Sequence, residues 1–140
     1  IGFMVGKKNR TVILKEVAPK YQNRPLAIEK SDLMLSRLNL LMEEQKPYLN
    51  PKIKLAELAQ SIDSTPHEVS QLLNHHLGQS FNQYINGFRA KAACKRLQDM
   101  DHLTVEGIGR EVGFTSKTAF YTAFKQVTQQ TPGQYKAALS

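Results

Sequence analysis

The sequence predicts an all-α fold in which two similar helical units flank one long linking helix. Three observations support this prediction: apolar residues recur at i, i+3, i+4 and i+7, the pattern repeats after about 50 residues, and helix-capping sequences separate the segments. With 140 residues, 41% of them apolar, the chain is long enough to bury a core. Its net charge of +7 favours an anionic partner.

The first 30 residues differ from the rest of the chain in charge and pattern. They hold seven basic and two acidic residues and lack helical periodicity, although Thr11 to Leu14 is typical of a short strand. We therefore interpret residues 1–30 as a basic linker or a juxtamembrane remnant. Residues 31–140 hold twelve basic and ten acidic residues, and we expect them to form the folded domain.

An amphipathic helix is predicted from Ser31 to just before Pro47. Its apolar stripe is expected to contain Met34, Leu38 and Leu41, with Leu33 and Leu40 widening it. A shorter helix follows, with Leu55, Leu58, Ala59 and Ile62 on one face.

Three capping boxes predict the starts of later helices. They are Thr65-Pro66-His67-Glu68, Ser80-Phe81-Asn82-Gln83 and Thr131-Pro132-Gly133-Gln134. The second box opens a helix predicted to reach about Met100, and its apolar residues on two sides indicate packing on both sides. Thr104 is expected to cap another helix, and Phe120, Ala123, Phe124 and Val127 form the apolar stripe of the one after it.

The two halves of this pattern are an internal repeat. Leu55, Leu58 and Ile62 correspond to Val105, Ile108 and Val112 at an offset of 50, and the following helices correspond at an offset of 51. A short helix, a tight turn and a second helix describe a helix-turn-helix unit. We therefore predict two helix-turn-helix subdomains, at about 55–77 and 104–128, joined by a linking helix at about 80–100.

The second helix of such a unit presents polar side chains to the DNA major groove. The polar residues at these exposed positions are His67, Glu68, Ser70, Gln71, Asn74 and His75 in the first unit and Lys117, Thr118, Tyr121, Thr122 and Lys125 in the second. The hydroxyls of Thr65, Thr115 and Ser116, at the starts of these helices, are candidates for positioning phosphates.

The segment GFTSKTAFYTAFKQVTQQTPGQYK, from Gly113 to Lys136, resembles the C-terminal signature of AraC/XylS transcription regulators. Its Gly-Phe-x-Ser turn, paired phenylalanines and Thr-Pro-x-x-Tyr have the family's spacing. The resemblance covers about residues 50–140 and implies a domain of about seven helices that reads two successive major-groove segments. It implies that the DNA-binding residues are His67, Ser70, Gln71 and Asn74 in the first unit and Lys117, Thr118, Tyr121, Thr122 and Lys125 in the second. Four departures stand out: Gln71 and Thr122 replace common arginines, and Asp63 and Gln129 replace glycines at turns.

The resemblance also implies an activator that helps RNA polymerase at promoters. A single cysteine, Cys94, allows no internal disulfide and favours the reducing cytoplasm. The stretch from Lys20 to Asn50 resembles a subgroup whose members carry an N-terminal membrane sensor. Basic residues after Ile1 to Val5 suit the cytoplasmic edge of a membrane helix. We therefore expect that the full-length protein dimerises or is tethered to a membrane through a region outside this chain.

Enzyme chemistry is not expected. The four histidines lack the spacing of a metal site, Cys94 lies among apolar neighbours, and Gly107 and Gly109 suit close helix packing rather than phosphate binding. We predict no cofactor and no metal. The alternative function is an all-helical protein-interaction module that meets an acidic partner and binds DNA without sequence preference.

Overall fold

The computed structural model describes residues 23–99 and 103–139, with side chains from residue 28 onward. Within these ranges it contains α-helices and short helical turns and no strand, which confirms the all-α prediction. The helices are α1 (Asn23–Glu44), α2 (Leu55–Ser61), α3 (Pro66–Leu72), α4 (Phe81–Asp99), α5 (Val105–Glu111), α6 (Lys117–Thr128) and α7 (Pro132–Leu139). A 3₁₀ turn spans Pro47–Leu49, and a π-helical segment spans Leu73–Leu77. The strand predicted at Thr11 to Leu14 lies outside the described residues.

The chain divides into two compact units, Ile1–Ser36 and Arg37–Ser140. In the first, the described part is the N-terminal stretch of α1, which begins eight residues before the predicted start at Ser31. Pro25 permits this early start because it lies in the first helical turn, where a backbone N–H has no intrahelical acceptor. The part of 1–30 from residue 23 onward is therefore helical, contrary to the prediction.

The apolar stripe of α1 is narrower than predicted. Leu38 and Met42 are buried, whereas Leu33 and Leu40 are 51% and 53% exposed. At 100° per residue, these two leucines lie about 140° and 160° around the helix from Leu38. The prediction that they widen the stripe was wrong.

All three predicted capping boxes form. The hydroxyls of Thr65, Ser80 and Thr131 each accept a hydrogen bond of 3.1 Å from the backbone N–H three residues later. The side chain at that later position accepts in return from the backbone N–H of the capping residue, at 2.9 to 3.0 Å. These reciprocal bonds satisfy donors that every helix start leaves unpaired.

The core of the second helix-turn-helix unit is built on α4, which packs against α5, α6 and α7. Its buried residues are Ala90, Ala93, Leu97, Ile108, Val112, Phe114, Phe120, Ala123 and Phe124. Val127, predicted to belong to this stripe, is 38% exposed because it lies in the last turn of α6, beyond the cluster. Tyr135 of α7 packs edge-on against Phe124, with ring centroids 5.4 Å apart.

Gly109 brings α5 and α6 into close contact. A Cβ atom at this position would lie 2.5 Å from Cδ2 of Phe120, so only glycine allows the observed approach. Gly107 has another role, since a Cβ there would meet the Thr104 hydroxyl that caps its own helix. The prediction of close helix packing holds for Gly109 and was wrong for Gly107.

Arg89 of α4 is a buried charged residue that the sequence analysis did not single out. Its guanidinium donates to the carbonyl oxygens of Tyr48 and Asn50, at 2.6 and 2.9 Å, and to Oδ1 of Asn86 at 3.0 Å. Its Cζ also lies 5.9 Å from the ring centroid of Phe114. One side chain thus joins the segment before α2, the linking helix and the turn between α5 and α6.

Candidate DNA-binding surface

The first candidate recognition helix, α3, follows a tight turn after α2. Pro66 occupies its first position, and the Thr65 cap holds its start. Val69 and Leu72 are buried, while His67 and Gln71 are exposed and Ser70 is half-buried. Because the apolar side is buried, α3 presents the opposite, polar side to solvent.

The helix widens into a π-helical segment at its C-terminal end, a feature that the sequence analysis missed. Asn74 is exposed in this segment, and its Nδ2 donates to Oγ of Ser70 at 3.5 Å. Gly78 ends the segment in the left-handed conformation, with φ of 62°. This π-helical segment turns Asn74 away from the position that a regular helix would give it.

The second candidate recognition helix, α6, begins at Lys117. The Ser116 hydroxyl accepts from the backbone N–H of Ala119 at 3.0 Å. One side of α6 is buried in the core through Phe120, Ala123 and Phe124. Its free side presents Thr118, Thr122 and Lys125, which are exposed.

The two caps limit what their hydroxyls can do for phosphate. Thr65 Oγ1 and Ser116 Oγ already accept hydrogen bonds from the helix backbone, so each keeps only its hydroxyl proton for a phosphate oxygen. Thr115 is exposed beside Ser116. All three side chains lie at the starts of α3 and α6, where helix N-termini favour anions.

Glu106 forms a small charged cluster with two predicted DNA-binding residues. Its Oε2 lies 4.0 Å from Nζ of Lys117 and accepts a 3.3 Å hydrogen bond from the hydroxyl of Tyr121. Lys117 Nζ also lies 5.3 Å from the centroid of the Tyr121 ring. Desolvation, followed by the charge and hydrogen bond of Glu106, raises the pKa of Tyr121 above its ordinary value.

Glu106 was not among the predicted residues because only the second helix of each unit was expected to face DNA. Glu106 is the second residue of α5, the first helix, and reaches Lys117 only when the unit is folded. An exposed acidic residue beside a predicted lysine contact lowers the local positive charge, so it matters for the affinity of this surface for phosphate.

The two candidate recognition helices differ in charge. Helix α3 carries no lysine or arginine, whereas α6 carries Lys117 and Lys125. The side-chain amides of Gln71 and Asn74 can form hydrogen bonds with the edge of a base such as adenine. Lysine side chains can instead contact phosphates or guanine. The two units therefore offer different chemistry to DNA.

No group of three or more metal-binding side chains occurs among residues 23–99 and 103–139. Cys94 is half-buried, and burial raises the pKa of its thiol, which disfavours the reactive thiolate. Within the described part of the chain, no helix is both long and apolar enough to span a membrane.

Two capped helix-turn-helix units, each with a buried apolar side and a polar second helix, define a tandem helix-turn-helix DNA-binding domain. The family model described as a helix-turn-helix domain matches residues 58–138, more than half of the chain. The chain belongs to the AraC-type helix-turn-helix family of DNA-binding transcription regulators, which is not a class of enzyme.

The chain is similar to several curated regulators, although it spans only a small part of their length. It is 27% identical over 116 residues to an uncharacterised HTH-type transcriptional regulator of Staphylococcus aureus strain COL, covering 83% of this chain and 15% of that protein. It is 27% identical over 93 residues to the regulatory protein PocR of Salmonella typhimurium, covering 66% of this chain and 30% of that protein.

Solved structures show the same fold. A transcriptional regulator from Chromobacterium violaceum with an AraC-type DNA-binding domain superposes with a TM-score of 0.64 at 20% identity, covering 80% of this chain and 96% of that one. The C-terminal domain of AraT, a response regulator from Geobacillus stearothermophilus, superposes with a TM-score of 0.59 at 22% identity, covering 76% and 84%.

Proposed function

We propose that this chain binds specific promoter DNA by placing α3 and α6 in two successive segments of the major groove. The observation that carries this proposal is the repeated polar side: both units bury one side of the second helix and expose the other behind a capped N-terminus. Successive segments on one side of B-DNA are about 34 Å apart, so a single chain would read a bipartite site.

The two helices would divide the work of recognition. In α3 and the π-helical segment, His67, Ser70, Gln71 and Asn74 would contact bases, with Gln71 suited to adenine. In α6, the contacts would come from Lys117, Thr118, Tyr121, Thr122 and Lys125. The short side chain of Thr122 cannot make the two-point contact that arginine makes with guanine, so guanine readout would fall to the lysines.

Phosphate contacts would set the position of the domain on the duplex. The helix starts at Thr65, Thr115 and Ser116 can donate hydrogen bonds to phosphate oxygens. Residues 31–140 carry a balance of only +2, which supports modest non-specific affinity. Specific contacts must therefore supply much of the binding free energy.

For the whole protein we propose a cytoplasmic regulatory domain that activates transcription together with RNA polymerase. The basic residues 1–30 would connect it to a region that dimerises or lies in a membrane. The similarity of the Lys20 to Asn50 stretch to membrane-sensor regulators supports the tether. Selective cross-linking of the full-length protein to RNA polymerase on promoter DNA would test the activator role.

Selection of bound sites from a random duplex library would test sequence-specific binding. The wild-type chain would be compared at near-physiological salt with two matched variants, Gln71→Ala/Asn74→Ala and Lys117→Ala/Tyr121→Ala. We expect a bipartite motif in the wild type, and each variant should lose sequence information in one half only.

The same experiment discriminates the alternative function. An interaction module would enrich no motif in any of the three proteins, and its weak binding would fall uniformly with salt. Loss of both half-sites in a single variant would contradict the division of work between α3 and α6, provided that circular dichroism shows the variant to be folded.

A further inference from the structure

A groove runs along one face of the linking helix α4, away from the residues assigned to DNA. Its volume is about 400 Å³, and it lies between α4 and the segment that contains the 3₁₀ turn. The floor is apolar, formed by Tyr48, Leu49, Phe88 and Ala92. The rings of Tyr48 and Phe88 stack there with centroids 5.6 Å apart. We call this feature the basic groove because of its rim.

The rim of the basic groove concentrates positive charge. Four cations line it, Lys46, Lys91, Lys95 and Arg96, against one carboxylate, that of Asp99. Arg96 pairs with Glu111, whereas Lys91 and Lys95 are exposed and make no ion pair with the described residues. Even with Arg96 neutralised, the rim keeps a balance of +2, which equals the balance of all residues 31–140.

The dimensions of the basic groove indicate what it can hold. From Phe88 to Asp99 the lining residues of α4 span eleven positions, or about 16 Å along the helix axis. A single small anion would contact only part of this length. The volume of the basic groove lies in the range of ordinary ligand pockets, so the groove can receive one or two large apolar side chains.

We propose that the basic groove docks an acidic segment of a partner protein that carries one or two large apolar residues. The apolar side chains would cover the floor, and the carboxylates would pair with Lys91 and Lys95 on the rim. Such a segment complements both properties of the groove at once. The docking site shares no residue with α3 or α6, so it is independent of the proposed base contacts.

Duplex DNA fits the basic groove less well than such a segment. A phosphate backbone would satisfy the lysines but would leave the apolar floor facing charged and hydrated groups. Protein–DNA contacts to phosphate come from basic and polar side chains, backbone N–H groups and helix N-termini, and they make no use of an apolar floor. DNA is therefore the competing occupant that an experiment must exclude.

The test uses fluorescence anisotropy with the labelled peptide Glu-Glu-Leu-Phe-Glu-Glu-Leu-Leu-Glu-Glu. One control peptide replaces glutamate by glutamine, and another replaces the apolar residues by serine. The groove variant is Lys91→Glu/Lys95→Glu, and the matched control is Lys52→Glu/Lys136→Glu, which changes the net charge equally outside the groove. Circular dichroism melting would verify that both variants fold.

We expect the acidic apolar peptide to bind the wild type and the control variant at least about tenfold more tightly than the groove variant. Both control peptides should bind more weakly, and amide chemical shifts in the wild type should change from Phe88 to Asp99. Equal affinity of the groove and control variants would overturn the proposal. A second result would also overturn it: random-sequence duplex displaces the peptide, and the groove variant loses affinity for the duplex. That result would assign the groove to DNA.

Discussion

Arg89 and Tyr48 lie 41 residues apart in the sequence, yet Nε of Arg89 donates a 2.6 Å hydrogen bond to the carbonyl oxygen of Tyr48. The same guanidinium reaches Asn50 and lies near the Phe114 ring. Gly113 completes this contact, because a Cβ atom there would lie 2.5 Å from the Tyr48 carbonyl oxygen. The segment that leads into the first unit is thus fastened to the turn of the second.

Replacing Arg89 by lysine should therefore destabilise the domain although the charge is kept. Lysine cannot donate to Tyr48, Asn50 and Asn86 in the planar arrangement of a guanidinium, so buried carbonyls would lose their partners. We expect a loss of about 2–4 kcal/mol in the free energy of unfolding, measured with urea. Arg110→Lys, at an exposed position, is the control and should change stability little. Equal stability of the two variants would contradict the role of Arg89.

Two glycines should respond to alanine in opposite directions. Gly109→Ala would place Cβ 2.5 Å from the Phe120 ring and force α5 and α6 apart, so we expect a loss of about 1–3 kcal/mol. At Gly87 in α4, a Cβ atom would meet nothing within 4 Å. Gly87→Ala should therefore stabilise the helix by about 0.5–1 kcal/mol. Thermal melts of both variants test the pair, and a stabilising Gly109→Ala would refute the close contact.

Gln129 ends α6 in the left-handed conformation, with φ of 65°, and its N–H donates to the carbonyl of Lys125 at 2.8 Å. Residues with a Cβ are strained there, and glycine is not. Gln129→Gly should raise the free energy of unfolding by about 1 kcal/mol. Gln126→Gly, inside the same helix, should lower it by a similar amount. A destabilising Gln129→Gly would show that its backbone strain is compensated by side-chain contacts.

The hydroxyl of Tyr84 is buried and has no hydrogen-bond partner among the described residues. Tyr84→Phe should therefore leave stability unchanged at neutral pH or raise it by up to about 1 kcal/mol. Burial raises the pKa of Tyr84 from 10.0 to about 12, so the unfolded chain loses this proton first. Below pH 10 the phenol keeps its proton in both the folded and the unfolded chain. As the pH rises from 10 toward 12 the unfolded chain ionises first, so the free energy of unfolding declines.

The wild type should lose about 1 kcal/mol more than Tyr84→Phe between neutral pH and about pH 11. Urea unfolding of both proteins across this range would measure the difference. Parallel curves for wild type and Tyr84→Phe would be inconsistent with a raised pKa.

Glu106 holds Lys117 and Tyr121 through its carboxylate. Glu106→Gln should raise affinity for random duplex about two- to tenfold and steepen its decline with salt, because Lys117 is freed for phosphate. Glu57→Gln removes an exposed carboxylate from α2, the first helix of the other unit, and is the matched control. Anisotropy titrations at several salt concentrations would measure both slopes. An unchanged slope in Glu106→Gln would mean that Lys117 does not contact phosphate.

Local patterns predicted most of the fold, because capping boxes and apolar spacing act over three to seven residues. The boxes at Thr65, Ser80 and Thr131 formed as expected. Asp63 and Gln129 show a limit of the same reasoning: both keep positive φ, 57° and 65°, at turns where the family resemblance implies glycine. The tertiary fold sets this backbone conformation despite its cost.

Contacts over long sequence distances were not predictable in the same way. Nothing near Arg89 in the sequence indicates that its partners lie at Tyr48 and Asn50, and Glu106 meets Lys117 only across the folded turn. The π-helical segment also escaped prediction, since its residues have no pattern that separates it from an α-helix. The proposed base-contacting residues remain predictions until binding is measured.

Because α3 and α6 differ in charge, the domain would bind a DNA site in one orientation. A chain whose two DNA-facing helices were equivalent and related by a two-fold axis could sit on a site in either orientation with similar affinity. Here one helix offers amides and the other ammonium groups, so a bound chain would have a defined upstream and a defined downstream end. Whatever docks along α4 would then be presented toward one side of the promoter only.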